Sequence, residues 1–392
     1  MDVGAGMARI GEIIMEKHRH GGQVYDYATD LNMTVEHLVD FSANINPWGP
    51  PPEVWRAVLH GFRGIRCYPD SRHTQVKAVL ADHLHVEPNQ IICGNGAMEI
   101  LELAMRTLRP KHTIVVTPAF AEYAAIARRY GSDVISVPLV GGVIRHSGLG
   151  HPKTLVDPFE LPLSAMDQHI HDGDLVVLNS PHNPTGAAWP RKLWQNAVSQ
   201  WSGRGAYILL DESFIDFLSQ ADEYTAIPLV SPDTRILVVR SATKMYALPG
   251  LRFGFGISSP ELVGQMESDR DPWSVNHLAQ EAVRVSYRDQ QYREKTWAWL
   301  TREQRYIAAS WGTLPFADLY PPSVNFFLIR FANATIASNV DQQLRQKGMI
   351  LRNCANFEGL GAQYRRIAIR RHRDNVGLFH EVETATPVPQ HH

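Results

Sequence analysis

The sequence predicts an α/β protein: a mostly parallel sheet covered by helices on both faces, followed by a smaller α+β region. Two observations carry this. Seven short apolar or β-branched runs alternate with helical patterns through the first two thirds of the 392-residue chain, the sign of strands buried on both faces. After about Trp273 the character changes to long amphipathic stretches followed by isolated strand patterns, and the length itself exceeds one ordinary core.

In chain order the seven runs are Ile91–Cys93, Thr113–Thr117, Val134–Val137, Leu175–Leu178, Tyr207–Leu210, Ile236–Val239 and Phe253–Ile257. In an open sheet of this kind ligands gather past the strands' carboxyl ends. The polar motifs sit there. Beyond Trp273, the run from Leu278 to Arg302 reads as one long amphipathic helix, and Asn325–Ile329 and Ile367–Ile369 as strands. The expected division is 1–52 as an N-terminal segment packed on the smaller domain, 53–273 as the large domain, and 274–392 as the small one. No internal repeat or low-complexity tract interrupts the chain.

Composition narrows the function classes. With 44% hydrophobic and 20% charged residues and a net charge of −2, the chain is of ordinary soluble type and offers no electrostatic reason to bind nucleic acid or an anionic membrane. No stretch approaches the length of an apolar membrane span, and residues 1–22 lack the apolar core of a signal peptide. Cys67, Cys93 and Cys354 have neither paired nor metal-type spacing, so a reduced cytoplasmic setting is expected. Eighteen histidines raise the question of a metal. The closest pairs, His18/His20 and His169/His171, lack the carboxylate or cysteine companions of a ligand set, and no metal is expected.

The most informative run is Ser241-Ala242-Thr243-Lys244, followed by Arg252. The Lys244 amine can condense with an aldehyde, while Ser241, Thr243 and Arg252 offer hydrogen bonds and positive charge to a phosphate dianion. The ligand with both groups is pyridoxal phosphate. Upstream, Asp211 closes the run Ala206–Leu210 and would deliver a carboxylate to the strand end. A buried carboxylate needs a cationic partner, and a protonated pyridine nitrogen is one. Asn183-Pro184-Thr185-Gly186 follows another strand, where the asparagine amide can donate to the ring oxygen. Gly94-Asn95-Gly96-Ala97 opens a helix whose first amides, at Gly96 and Ala97, point at an anion.

Strand, Asn-Pro-Thr-Gly, strand, Asp, strand, Ser-x-Thr-Lys and Arg, in that order, resemble the aspartate aminotransferase superfamily, the fold-type I pyridoxal phosphate enzymes. The likeness runs from about Asp40 to about Asn375 and implies a seven-stranded sheet in the large domain. It implies cofactor roles for Gly96, Ala97, Phe120, Asn183, Asp211, Ser241, Thr243, Lys244 and Arg252, with Phe120 stacked on the pyridine and Lys244 and Asp211 catalytic. Tyr68 resembles the tyrosine that reaches the neighbouring subunit's cofactor phosphate, which implies a homodimer with shared sites. Phe214 departs from the pattern, because many members carry a tyrosine there that donates to the same ring oxygen as Asn183.

The fold leaves the reaction open. Four segments, His20–Gly22, Asp40–Gly49, Pro272–Asn276 and Leu351–Phe357 with Tyr364–Arg370, resemble the L-threonine O-3-phosphate decarboxylases of cobalamin biosynthesis, and so does Phe214 within Asp211–Phe217. This implies a phosphorylated amino acid as substrate, decarboxylated to (R)-1-amino-2-propanol O-2-phosphate. Arg370 is then expected to fork onto the substrate carboxylate, and Arg352 to meet the phosphate, with His20, Ser42 and Asn44 as further donors and Asn183 at the substrate side of the ring. The rival is a histidinol-phosphate aminotransferase-like transaminase. It has the same cofactor set and needs a 2-oxo acid. L-serine O-phosphate lacks one methyl, worth about 1–3 kcal/mol of discrimination, and is an alternative substrate.

Overall fold

The computed structural model describes residues 20–142, 144–146 and 154–385. His18 and residues 386–392 lie outside them. The main sheet has seven strands: β1 Ile91–Gly94, β2 His112–Thr117, β3 Asp133–Pro138, β4 Leu175–Asn179, β5 Tyr207–Asp211, β6 Ile236–Ser241 and β7 Gly254–Ile257. Their spatial order is β1-β7-β6-β5-β4-β2-β3. Only β7 runs antiparallel to its neighbours.

Alternation along the strands explains the two-sided core. Ile92, Val115, Val177, Leu209, Leu237 and Val239 face a cluster built with helix Ala97–Leu108, helix Ala121–Arg129 and helix Pro260–Asp269. Ile114, Val176, Leu178, Ile208, Leu210, Ile236 and Val238 face the larger cluster on the other side. Side chains at successive positions point to opposite faces of a strand, so a run apolar at every position must be covered on both.

A second, antiparallel sheet comprises β8 Ala317–Tyr320, β9 Phe326–Phe331, β10 Arg352–Asn353 and β11 Tyr364–Ala368, in the order β8-β9-β11-β10. The N-terminal part reaches this region. Val39–Asp40 pairs in parallel with Met349–Ile350, and Phe41 continues the link, accepting from the Ala368 amide at 2.8 Å and donating to the Ile350 carbonyl at 2.9 Å.

The expected single helix over Leu278–Arg302 is two, His277–Ser286 and Gln290–Trp311. Asp289 makes the break. Its carboxylate accepts from the Tyr292 amide at 2.9 Å, a cap that satisfies a free N–H at the start of the second helix.

Beneath the carboxyl ends of β5 and β6 lies a buried ion pair. Arg240 Nε donates to Glu212 Oε2 at 3.1 Å, and its Nη2 donates to Thr225 Oγ1 at 2.9 Å. Burial pushes the Glu212 carboxyl up, against the pull of Arg240, the Ala226 amide and the Thr225 hydroxyl. Removing one partner of such a pair leaves the other charge uncompensated, at about 3–5 kcal/mol. Arg240→Ala is therefore expected to lower unfolding free energy by about that amount, measured by urea denaturation.

Candidate active site

The motif residues converge on a cavity of about 260 Å³ beyond the carboxyl ends of β4, β5 and β6, lined by residues that include Lys244, Asp211, Asn183, Arg252, Phe120 and Tyr123. Lys244 sits in the short helix Ala242–Met245 that follows β6 directly. Ser241 caps that helix, its hydroxyl accepting from the Thr243 amide at 3.3 Å. The Lys244 amine is pulled down from the usual lysine range to about 8, first by burial and then by the positive charges of Arg366 and Arg252, with Asp211 opposing. A neutral amine is the nucleophilic form. Reaction of Lys244 with pyridoxal phosphate should therefore rise with pH through about 8, well below the 10.5 of an ordinary lysine. Measuring the uptake rate by apoprotein against pH checks this, and Arg366→Gln, which removes a depressing charge, should move the midpoint up.

Asp211 ends β5, buried. Tyr123 Oη donates to its Oδ2 at 2.5 Å, and the Ser213 amide donates to its Oδ1 at 2.9 Å. The two donors fix the carboxylate's plane and support its charge. Burial and the neighbouring Asp211 charge push the Tyr123 phenol well up, so it remains a donor. Asn179, directly opposite Asp211 in the sheet, donates to the Asp211 carbonyl at 2.8 Å and accepts from the Asn183 amide at 2.7 Å. It thereby sets the turn that carries Asn183.

Gly96 and Arg252 form a cradle. Gly96 has φ +81°, and a Cβ there would stand 2.4 Å from Arg252 Nη2, so only glycine admits the guanidinium beside the first amides of helix Ala97–Leu108. Gly254 serves the same approach from β7, since a Cβ on it would lie 2.2 Å from the Ala97 amide. Arg252 itself has φ +60°, a conformation that an arginine adopts only where its surroundings hold it. Arg252 and Lys244 line the cavity, whereas Gly96, Ala97, Ser241 and Thr243 are not among its lining residues. Phe120 lines it, its ring edge-on to Tyr123 at 5.6 Å. This set fits pyridoxal phosphate: an amine for the aldehyde, a held carboxylate for the ring nitrogen, an amide for the ring oxygen, and a helix start with a guanidinium for the phosphate.

The substrate side differs from expectation at one residue. Arg370 lies outside the cavity lining. Its Nη1 donates to the Asp40 carbonyl at 2.9 Å, and its Nε lies 3.6 Å from Asp374. Arg366 lines the cavity in its place, with Arg252 and Arg352. Arg370 lies beyond the end of β11, whereas Arg366 is within it, directly opposite Arg352 on β10. Cross-strand partners share a face, so the two guanidinium groups enter together.

Arg366 donates from Nη1 to Asn183 Oδ1 at 2.5 Å and from Nη2 to the Ser42 carbonyl at 2.8 Å. That leaves the Asn183 NH2 for a ring oxygen. Burial, then Arg352, brings the Arg366 guanidinium down to about 10, still charged at neutral pH. Arg352 donates to the Asn353 carbonyl and to Asn356 Oδ1, both at 2.7 Å, and stacks over Phe357 at 5.1 Å. Phe214, in the lining, packs edge-on against Phe326 at 4.9 Å, and Arg366 lies over Phe326 at 5.5 Å.

His20, Ser42 and Asn44 also line the cavity. His20 Nε2 contacts Glu122 at 2.8 Å. Asn44 is buried, and neither of its side-chain atoms finds a partner among the described residues, so an incoming ligand is their available partner. Tyr68 is not among the lining residues. It is 80% exposed and rests against Trp273 at 4.7 Å.

Sequence reading missed Tyr123, Asn179 and Arg366. Tyr123 carried a signal, three positions past Phe120 and one helical turn into the site. Arg366 carried none without the strand register. Among the described residues, no group of His, Cys, Asp and Glu is arranged to hold a metal ion, and no helix is long and apolar enough to cross a membrane.

The family model for "Aminotransferase class I and II" matches residues 36–375. A threonine-phosphate decarboxylase of Salmonella typhimurium is 33% identical over 92% of this chain and 94% of its own length. The adenosylcobalamin biosynthesis bifunctional protein CobDQ of Leptospira interrogans is 26% identical over 93% of this chain and 41% of its own. Among solved structures, histidinol-phosphate aminotransferase from Sinorhizobium meliloti in complex with pyridoxal-5'-phosphate superposes with a TM-score of 0.77 at 19% identity, covering 92% of this chain and 93% of that one.

Proposed function

Since the chain belongs to the aminotransferase class I and II family, we propose that it is a pyridoxal phosphate-dependent decarboxylase of L-threonine O-3-phosphate, producing (R)-1-amino-2-propanol O-2-phosphate and CO2 for cobalamin biosynthesis. The observation that carries this reading is the pair of guanidinium groups, Arg352 and Arg366, that enter the Lys244 cavity side by side. Two anions at opposite ends of one small amino acid suit that pair. The 33% identical decarboxylase agrees with it.

In this reading Gly96, Ala97, Ser241, Thr243 and Arg252 hold the cofactor phosphate, Phe120 the ring face, Asn183 the ring oxygen and Asp211 the ring nitrogen. When bound, the cofactor withdraws electrons from the substrate's Cα. Arg366 forks onto the carboxylate, and Arg352, His20 and Asn44 take the phosphate; the hydroxyl of Ser42, expected beside them, instead donates its one proton to Asp40 Oδ1 at 2.6 Å and accepts from the Gly22 amide at 2.9 Å. Gripping the phosphate at a distance lets binding energy turn the Cα–carboxylate bond into the breaking orientation. That bond breaks with its electron pair left toward Cα, CO2 departs, and a proton from Lys244 Nζ completes the product amine carbon. Phe214 supplies no hydroxyl to the ring oxygen, which leaves Asn183 alone there.

The same reading divides the chain into 53–273 and 274–392, with 1–52 packed on the latter. It also makes the protein a homodimer, in which Tyr68 reaches the partner's cofactor phosphate. Trp55, Leu59, Phe62, Ile65 and Trp273 are exposed apolar residues on the same stretches, a set suited to an isologous interface. Sedimentation should give twice the 44.1 kDa chain mass, and Tyr68→Phe should weaken cofactor affinity.

The deciding experiment supplies L-threonine O-3-phosphate without any 2-oxo acid and measures CO2 and amine. Release of both is expected. Absence of CO2 together with oxo-acid-dependent amino transfer would establish the transaminase instead. L-serine O-phosphate in parallel reports the methyl's contribution.

A further inference from the structure

Asn46 is buried and outside the cavity, yet it makes hydrogen bonds to three separate parts of the chain. Its backbone amide donates to the carbonyl of Lys244 at 3.1 Å. Its Nδ2 donates to the Met245 carbonyl and to Thr296 Oγ1, both at 3.0 Å, and its Oδ1 accepts from the Trp48 amide at 3.2 Å. Thr296 in turn donates to the Tyr292 carbonyl at 2.8 Å, so its hydroxyl can only accept from Asn46. Every polar atom of the Asn46 side chain is committed, and the donors are essential to the pattern.

The other end of the same loop is tied to the second sheet. Phe41 bonds both Ile350 and Ala368, and the Ser42 carbonyl accepts from Arg366 Nη2. Ser42 and Asn44 lie between these anchors, facing the cavity. The loop is therefore a strut of six residues, Phe41 to Asn46, with the arginine-bearing strand at one end and the turn holding the catalytic amine at the other. Trp48, just beyond, is pinned between Lys295 at 4.1 Å and Arg371 at 5.3 Å, which stiffens the exit from the strut.

We propose that Asn46 is a positioning residue that fixes the distance between the substrate's anion-binding groups and Lys244, so that grip on the phosphate and carboxylate is transmitted to the alignment of the breaking bond. This rests on the decarboxylase reading. Misplacement of about 1 Å at a reacting bond costs on the order of 100-fold, and a hydrogen-bonded strut is a means of preventing it.

Asn46→Asp keeps the side chain's shape and the bond from Trp48, and sets an acceptor against Met245 O and Thr296 Oγ1. With threonine phosphate as substrate, kcat is expected to fall about 30–100-fold, while KM and pyridoxal phosphate affinity stay within about threefold. The fraction of turnovers diverted to abortive amino transfer should rise about tenfold, since the carboxylate bond is no longer held for cleavage. A readout free of turnover is amide hydrogen exchange of the holoenzyme with phosphoglycolate, which has both anions and no amine. In the wild type, protection should extend from 41–46 to 242–248, and in Asn46→Asp it should stop at the loop.

Thr296→Val, which removes one of the two acceptors of Asn46 Nδ2 together with the hydroxyl's own bond to the Tyr292 carbonyl, should change partitioning in the same direction by a smaller factor, and decides the matter if Asn46→Asp does not accumulate folded. Unchanged partitioning, or equal protection of 242–248 in variant and wild type, overturns the proposal. So does a parallel rise in KM and loss of cofactor, which would mark Asn46 as a folding residue alone. If the wild type releases no CO2 from threonine phosphate, the decarboxylase reading fails, while the hydrogen-exchange comparison still tests the strut.

Discussion

Lys244→Ala is expected to reduce CO2 release from threonine phosphate by four orders of magnitude or more, about 5.5 kcal/mol at 1.36 kcal/mol per tenfold. The loss is large because, in the proposed reaction, Lys244 supplies both the amine that meets the aldehyde and the proton that ends at Cα. Among the described residues, no second lysine lines the cavity. Arg252 and Arg366 also line it, and a guanidinium stays protonated in proteins and does not substitute as a nucleophile. Absorbance separates the two roles. The variant should still take up pyridoxal phosphate through the Gly96–Arg252 cradle, yet show the spectrum of the free aldehyde. Retention of the lysine-linked band would mean that another residue carries the aldehyde. Exogenous amines of small size should restore part of the rate, as the cavity left by the side chain is open to them.

Arg366→Gln should lower kcat/KM by about 30-fold to several thousand-fold, from the about 2–5 kcal/mol lost when one side of a buried charge pair is removed. Arg370→Gln should cost less than tenfold. The contrast follows from placement. Arg366 touches Asn183 and the substrate strut, while Arg370 is spent on the Asp40 carbonyl and Asp374. Steady-state kinetics on the two variants checks the assignment, and a larger loss at Arg370 would reverse it. Arg366→Gln should also weaken the hold on Asn183 and so shift the cofactor's absorbance slightly, an effect that Arg370→Gln should lack.

Much of the candidate site was legible because it is built from local signals. A strand ending in Asp211, a turn at Asn183–Gly186 and a lysine third in a short helix directly after a strand can each be read without knowing what lies opposite. The alternation of apolar runs likewise exposes the sheet, since burial on both faces leaves no polar positions to confuse the period. Tertiary pairing was less accessible. Arg366 and Arg370 both follow the same apolar pattern by spacing alone. Only the register that sets Arg366 opposite Arg352 tells which one enters the cavity. Tyr123 meets Asp211 across 88 residues, and nothing in either neighbourhood announces the other. The helix break at Asp289 was hidden for a different reason, because both helices, His277–Ser286 and Gln290–Trp311, are amphipathic and only the Asp289 cap on the Tyr292 amide separates them.

The face-to-face arrangement of Arg352 and Arg366 bears on handling the protein as well as on catalysis. Like charges directly opposite one another on adjacent strands oppose the pairing of those strands, and an anion between them turns that repulsion into attraction. Folding and occupancy are then linked by mass action. A ligand at 100 times its Kd raises unfolding free energy by about 2.7 kcal/mol, so a dianion should act as a stabiliser of β10 and β11 in addition to any role as substrate. Phosphate buffer would thus protect the enzyme on storage and compete with substrate in assay, and melting curves taken in phosphate and in a zwitterionic buffer would describe two differently charged proteins.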